Sequence, residues 1–265
     1  SAALDTIGAE FVRDVEPGEI VTIVDGQIYS DWIYHAPVKS RCIFEYIYFA
    51  RTDSIIDGQS VYSSRVRAGS ILAEKCPVDA DLVIGVPESG LAAAVGYSQG
   101  SNIPYGMAFY KNSYVGRTFI KPKQNERTAG VQAKLNVIRD VVKGKRVVMV
   151  DDSIVRGTTI RNIVKMLKDA GALEVHVRIS SPPFKHPCYY GTDVPSSENL
   201  VAVNNTIDEI KESINADSLG FLDIEDLGQL CPGLDYCDAC FTGKYAGGIP
   251  SDPSKTNSCS SKIVL

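Results

Sequence analysis

The sequence predicts an α/β fold with a mostly parallel, twisted sheet flanked by helices. Two matching stretches carry that expectation. Val147-Val148-Met149-Val150 is an unbroken apolar run that meets Asp151 and Asp152, and Leu82-Val83-Ile84-Gly85-Val86 is a second run that meets Pro87-Glu88-Ser89-Gly90. Such runs, without polar alternation, suit strands covered on both faces, as parallel strands are. Each leads into helical sequence: Ile160, Ile163, Val164 and Leu167 share one helical face ahead of a Gly171 stop, and Leu91 to Tyr97 is alanine-rich.

With 265 residues, 44% of them hydrophobic, the chain is long enough to bury a full α/β core in one or two domains. A net charge of -5 gives no support for non-specific nucleic-acid binding, which usually needs a basic face. No apolar run reaches membrane-spanning length and the first residues lack the charged-then-apolar pattern of a secretory signal, so the expectation is a cytoplasmic enzyme with no nucleic-acid or membrane partner. Seven cysteines, an odd number spread along a mid-sized chain, point to reduced thiols or metal ligands rather than a disulfide scaffold.

In chain order, Glu19 to Val24 and Gln27 to Trp32 alternate around Asp25-Gly26, the signature of a hairpin. So small a unit must pack on the main domain or on further material. The aromatic content of Arg41 to Arg51 leans towards a strand. A helix is expected over roughly Ser60 to Glu74, a strand over Glu174 to Ile179, and short helices over Ile207 to Ile214 and Ile224 to Leu230. Ser181-Pro182-Pro183 is read as ending the αβ repeats. The glycine-, serine- and proline-rich tail, residues 247–265, is expected to be mobile.

At the carboxyl end of a parallel strand, free backbone N–H groups and a helix N-terminus favour an anion, while adjacent carboxylates favour hydroxyls or a hydrated cation. The Asp151 to Thr159 stretch therefore suits a ligand carrying both a diol and a phosphate. Walker-type nucleotide binding is the alternative, but its Gly-Lys-Ser/Thr ending is absent. The second turn at Pro87 frames the same crevice. Lys111, Arg117, Lys121, Lys123, Arg127 and Lys134 form a basic stretch suited to a flap over a polyphosphate. Among the cysteines, Cys237 and Cys240 form a CxxC pair, and Cys42 and Cys188 stand elsewhere. Residue spacing leaves zinc and an iron-sulfur cluster equally open.

Together, Glu16-Pro17-Gly18-Glu19, Glu45-Tyr46-Ile47-Tyr48-Phe49-Ala50-Arg51, Gly85 to Ser89, Tyr114 to Ile120, Val147 to Thr159 and Cys240-Phe241-Thr242-Gly243 resemble the glutamine phosphoribosylpyrophosphate (PRPP) amidotransferase family. The resemblance covers nearly the whole chain except the tail. It implies a type I phosphoribosyltransferase fold over residues 41–246, with residues 1–40 as the last strands of an Ntn-type glutaminase domain. The implied reaction is amination of PRPP at C1 with release of pyrophosphate, the first committed step of purine synthesis. Because the chain begins Ser1-Ala2-Ala3, the family's N-terminal cysteine nucleophile is expected to be missing, and the ammonia to be free or externally supplied.

The resemblance also implies roles. Asp151 and Asp152 would hold the ribose hydroxyls and magnesium, and Ser153, Ile154, Val155, Arg156, Gly157, Thr158 and Thr159 would cradle the 5'-phosphate. Pro87, Glu88, Ser89 and Gly90 would form the pyrophosphate loop, with Ser89 near magnesium. Lys111, Arg117 and Thr118 would belong to the closing flap. Cys42, Cys188, Cys237 and Cys240 would hold a structural 4Fe-4S cluster, leaving Cys76, Cys231 and Cys259 as ordinary thiols. Purine nucleotides would act as feedback inhibitors and the enzyme would be a homo-oligomer. Ser113 and Gln132 depart from the basic residues common in the family. The competing expectation is a non-catalytic PRPP- or purine-nucleotide-binding regulatory module on the same fold.

Overall fold

The computed structural model describes residues 2–33, 35, 39–111, 135–192, 194 and 196–250. Its centre is a four-stranded, wholly parallel sheet: β1 (Leu82–Gly85), β2 (Arg146–Asp151), β3 (Glu174–Ile179) and β4 (Ser218–Phe221), arranged side by side in that order. Gly85 pairs with Val150, and Ile179 with Asp151, so the carboxyl ends of β1, β2 and β3 lie level. Turns 87–90 and 151–157 therefore leave the sheet at one edge. Parallel strands expose no face to water, which is why the inner positions of β1 and β2 read as continuous apolar sequence.

Helices cover both faces. Helices α1 (Val61–Lys75) and α2 (Gly90–Ser101) pack over Val83, Val148 and Val150. Helices α3 (Thr158–Asp169) and α4 (Ile207–Ile214) cover Ile84, Val147 and Met149 with Ile160, Ile163, Leu167, Ile210 and Ile214. Alternate side chains of one strand thus enter two different cores. Ser60 caps α1 by accepting from the Ser63 N–H, and Thr206 with Glu209 forms a capping box on α4. The chain leaves α3 through Gly171 at φ +99°, the backbone region the predicted stop requires.

Two sequence expectations are corrected here. Only Arg41–Cys42 is strand, paired with Tyr236–Cys237, and the aromatic stretch after it is helical, closing in a wide turn over Glu45–Phe49. Ile43, Phe44, Tyr46 and Ile47 are buried, a helical spacing whose tertiary packing overrides the β-leaning aromatic content. The αβ repeats continue past Pro183, because α4 leads into β4 and β4 pairs in parallel with β3. Ser218-Leu219-Gly220-Phe221 is too short and too mixed to announce a buried strand. The short helical stretch expected over Ile224 to Leu230 is present, as a 3₁₀ turn at Ile224–Asp226 followed by a single α-helical turn.

The hairpin Glu19–Val24 and Gln27–Trp32 forms in the expected register around Asp25-Gly26. Its apolar side chains Ile20, Ile23, Ile28 and Trp32 stay exposed. Among the described residues no helix is long and apolar enough to cross a membrane. Most of the predicted mobile tail, residues 251–265 with Cys259, lies outside the described residues.

Candidate active site

Asp151 ends β2 and Asp152 follows it, both less than a tenth exposed. The Asp152 carboxylate is gripped from two sides: the Ser89 hydroxyl donates to Oδ1 at 2.5 Å, and the Ser153 hydroxyl donates to Oδ2. The Asp152 backbone N–H donates to Asp151 Oδ1 at 2.9 Å. Burial holds both carboxyls above the usual carboxylate range, and the neighbouring Asp152 charge pushes Asp151 further. Two acids placed this way favour a hard cation or sugar hydroxyls, and the oxygen-only donor set of Asp151, Asp152 and Ser89 fits magnesium.

The Pro87 turn is built against that pair. Its Pro87–Glu88 peptide is cis, and the Val86 N–H donates to the Val150 carbonyl at 2.9 Å. A Cβ at Gly90 would lie 2.5 Å from the Val150 carbonyl oxygen, so only glycine lets α2 begin beside the acids. Glu88 is exposed and pairs with Lys111 at 2.9 Å.

The 153–159 loop divides by side chain. Ile154 is buried among the α3-side core, and Val155 packs against the other core. Only their backbone can face a ligand. Arg156, Thr158 and Thr159 are exposed, and Gly157 takes φ +76° as α3 begins. The Val155 carbonyl accepts from the Val201 N–H at 2.9 Å, which braces the loop from outside. Exposed hydroxyls and free N–H groups at a helix start make an anion site.

A cavity of about 1070 Å³ adjoins the pyrophosphate-loop side, lined by Arg51, Arg65, Pro87, Glu88, Ser89 and Lys111 among others. Asp151 and Asp152 do not line it; Ser89 links it to them. Arg51 and Arg65 had no predicted role. Arg51 closes the Glu45 to Arg51 motif, and Arg65 is a charged residue on the apolar face of α1, which is itself a signal. Arg117 and Thr118, with Ser113 and Gln132, lie outside the described residues; of the flap, Lys111 alone is described.

The four predicted cluster cysteines do approach one another. Cys42, Cys188 and Cys237 line a second cavity of about 600 Å³, and Cys240 lies near enough to Cys42, Cys188 and Cys237 to be influenced by their charges. Burial pushes the Cys42 thiol up to about 11 and raises Cys240 strongly. At Cys188 burial also acts upward, but N–H groups of Gly191, Thr192 and Tyr190 outweigh it and lower the thiol. Among the described residues no three His, Cys, Asp or Glu side chains converge tightly enough to clasp one metal ion. The soft donor set fits a sulfur-ligated centre, and the N–H donors to Cys188 at 3.4 and 3.5 Å suit a thiolate there.

Comparison with known proteins follows the same geometry. The phosphoribosyl transferase domain family matches residues 68–189. An amidophosphoribosyltransferase of Synechocystis sp. is 51% identical over 253 residues, covering 94% of this chain and 51% of that protein. One from Archaeoglobus fulgidus is 51% identical over 256 residues, covering 95% and 56%. The solved glutamine PRPP amidotransferase from B. subtilis, complexed with ADP and GMP, superposes with a TM-score of 0.86 at 50% identity, covering 95% of this chain and 56% of that one. The chain spans about half the length of the relatives it matches. Over nearly all its length the chain is similar to a portion of these amidophosphoribosyltransferases, and the phosphoribosyl transferase domain match lies within that portion.

Proposed function

We propose that this chain binds PRPP and carries out the phosphoribosyl half-reaction of amidophosphoribosyltransferase, joining ammonia to C1 and releasing pyrophosphate. The observation that carries the reading is the level meeting of two strand-end turns, with the buried Asp151–Asp152 pair bonded to Ser89 between them. The backbone of Ser153 to Gly157 with the Thr158 and Thr159 hydroxyls cradles the 5'-phosphate, Asp151 and Asp152 take the ribose hydroxyls, and Pro87 to Gly90 takes the pyrophosphate.

The nitrogen lone pair forms the new bond to C1 as the bond from C1 to the pyrophosphate oxygen breaks, and the oxygen leaves with the electron pair. The ammonium so formed loses one proton to solvent, so no strong general base is needed. Charge at C1 is oxocarbenium-like, and the carboxylates beside the ribose stabilise it. Magnesium, held by Asp151, Asp152 and Ser89, would offset the charge of the departing pyrophosphate. Lys111, Arg117 and Thr118 close over the ligand and exclude the water that would compete with ammonia.

Cys42, Cys188, Cys237 and Cys240 hold a 4Fe-4S cluster in this reading, a structural tie between the start and the end of the domain. Ammonia comes from glutamine through a glutaminase domain, purine nucleotides inhibit at the 5'-phosphate loop, and the protein works as a cytoplasmic homo-oligomer. The B. subtilis relative complexed with ADP and GMP supports the nucleotide part.

The test is pyrophosphate release from PRPP with ammonium chloride present, with and without magnesium. Magnesium-dependent release is expected. Tight PRPP binding without any release would instead favour a regulatory module, and neither binding nor release would overturn the whole reading.

A further inference from the structure

Arg65 is 3% exposed on the inner face of α1, between Val61 and Ala68. Its guanidinium donates to four neutral acceptors: the carbonyls of Tyr46 at 2.9 Å, Tyr48 at 3.0 Å and Ala50 at 2.8 Å, and the Thr52 hydroxyl at 2.9 Å. Those carbonyls sit where the Glu45–Phe49 turn ends and helical donors run out. The carboxylates that act on Arg65 through space are Asp152 and Glu45. A buried cation without a bonded carboxylate is a costly way to fill a core that an apolar side chain would fill more cheaply. What the planar fork adds is shape, since it fixes alternate carbonyls of one segment at once.

That segment has a particular place. Phe49 lines both the cavity beside the pyrophosphate turn and the cavity of the cysteines. Beyond it Ala50, Arg51 and Thr52 line the first cavity, together with Pro87, Glu88 and Ser89. The Glu45–Phe49 turn is therefore a partition between the two cavities, and the residues after it are a wall of the first.

We propose that Arg65 is a positioning residue: by pinning the 46–52 segment it sets the wall that faces the pyrophosphate turn, and so governs PRPP binding rather than the chemical step. The inference rests on the reading of the chain as a PRPP-using enzyme. Arg65 does not touch the reacting atoms. It acts through the placement of Ala50, Arg51 and Thr52, and it lines the same cavity beside them.

The experiment uses the full chain and compares wild type with Arg65→Lys, which keeps the charge but loses the planar fork. Amide hydrogen exchange of the 45–53 peptide should speed up roughly tenfold while the 146–151 peptide stays unchanged, and KM for PRPP should rise roughly tenfold with kcat within about threefold. Unchanged exchange at 45–53, or faster exchange with KM unaltered, overturns the proposal. So does loosening of 146–151 in step with 45–53, because that is a merely structural role. Should Arg65→Lys fail to fold, Thr52→Val removes one acceptor and should shift KM roughly threefold in the same direction, with no shift overturning the proposal. If the wild type releases no pyrophosphate but binds PRPP, the dissociation constant replaces KM. If it does neither, the enzymatic reading fails, and the effect of Arg65→Lys on 45–53 exchange still decides whether Arg65 pins that segment.

Discussion

The acid turn and the cysteine cavity each gather groups of one chemical kind, but they are assembled in opposite ways. Asp151 and Asp152 are neighbours in the chain, and Asp152 already receives hydroxyls from Ser89 and Ser153. The cysteines come from Cys42, Cys188 and the Cys237–Cys240 pair, and backbone donors reach the Cys188 thiol while Cys42 and Cys240 remain strongly raised. The difference teaches where ligand dependence should fall. A turn built from adjacent residues at a strand end and braced by its neighbouring turn keeps its shape without a ligand, whereas a site closed only by the whole fold needs its ligand to stay closed.

The sharpest way to break that contrast is to separate the two turns. Gly90→Ala places a Cβ against the Val150 carbonyl and should cost about 3 kcal/mol or more, read as a fall in the chemical denaturation midpoint. A midpoint unchanged by the alanine would mean that the turns are not in close contact. Next in size is chelation of the cluster proposed at the cysteines, applied to anaerobically purified protein. It should lower the midpoint by about 2 kcal/mol while leaving hydrogen exchange of the 146–151 peptide unchanged. Equal loosening at both places would erase the contrast.

Thiol reactivity offers a finer measure. In metal-free protein near pH 8, Cys188 should alkylate roughly tenfold faster than Cys42, followed by peptide mass spectrometry, because its thiolate is the favoured one. The smallest effect is expected at an exposed carboxylate. Arg146 donates to Asp81 and holds its carboxyl down at about 2. That stabilisation is complete above the ordinary carboxylate range and disappears as pH falls towards about 2. Arg146→Gln should therefore lower the melting temperature slightly at pH 7, by an amount that shrinks as the pH is lowered. A difference independent of pH would contradict the assignment.

Much of the acid turn was legible in the sequence because its parts are contiguous. An apolar run, two acids, a hydroxyl-rich loop and a helical face follow within Val147 to Leu167, and each has a local physical cause. The hairpin at Asp25-Gly26 was legible for the same reason. The Ile43–Phe49 helical stretch was not, because its spacing is set by which side chains face α1 and Phe184, a tertiary fact. Strand β4 escaped because Gly220 and Ser218 dilute its apolar signal. Convergence of the cysteines was suggested only by family resemblance, since their separation in sequence carries no geometry. Arg65 left a trace, a charge on an apolar helical face, but its acceptors are backbone carbonyls that no side-chain pattern encodes.

The central claim is that the acids at the end of β2 bind the reacting ribose and its metal rather than support the fold. It is tested most directly by the double variant Asp151→Asn with Asp152→Asn, assayed for pyrophosphate release from PRPP with ammonium and magnesium. The account predicts a fall of about a thousandfold or more in kcat/KM, with an unfolding midpoint at or above that of the unaltered chain because two buried like charges are relieved. A variant that keeps its rate would contradict the assignment of the site, and one that loses its rate only by unfolding would return the two acids to a structural role.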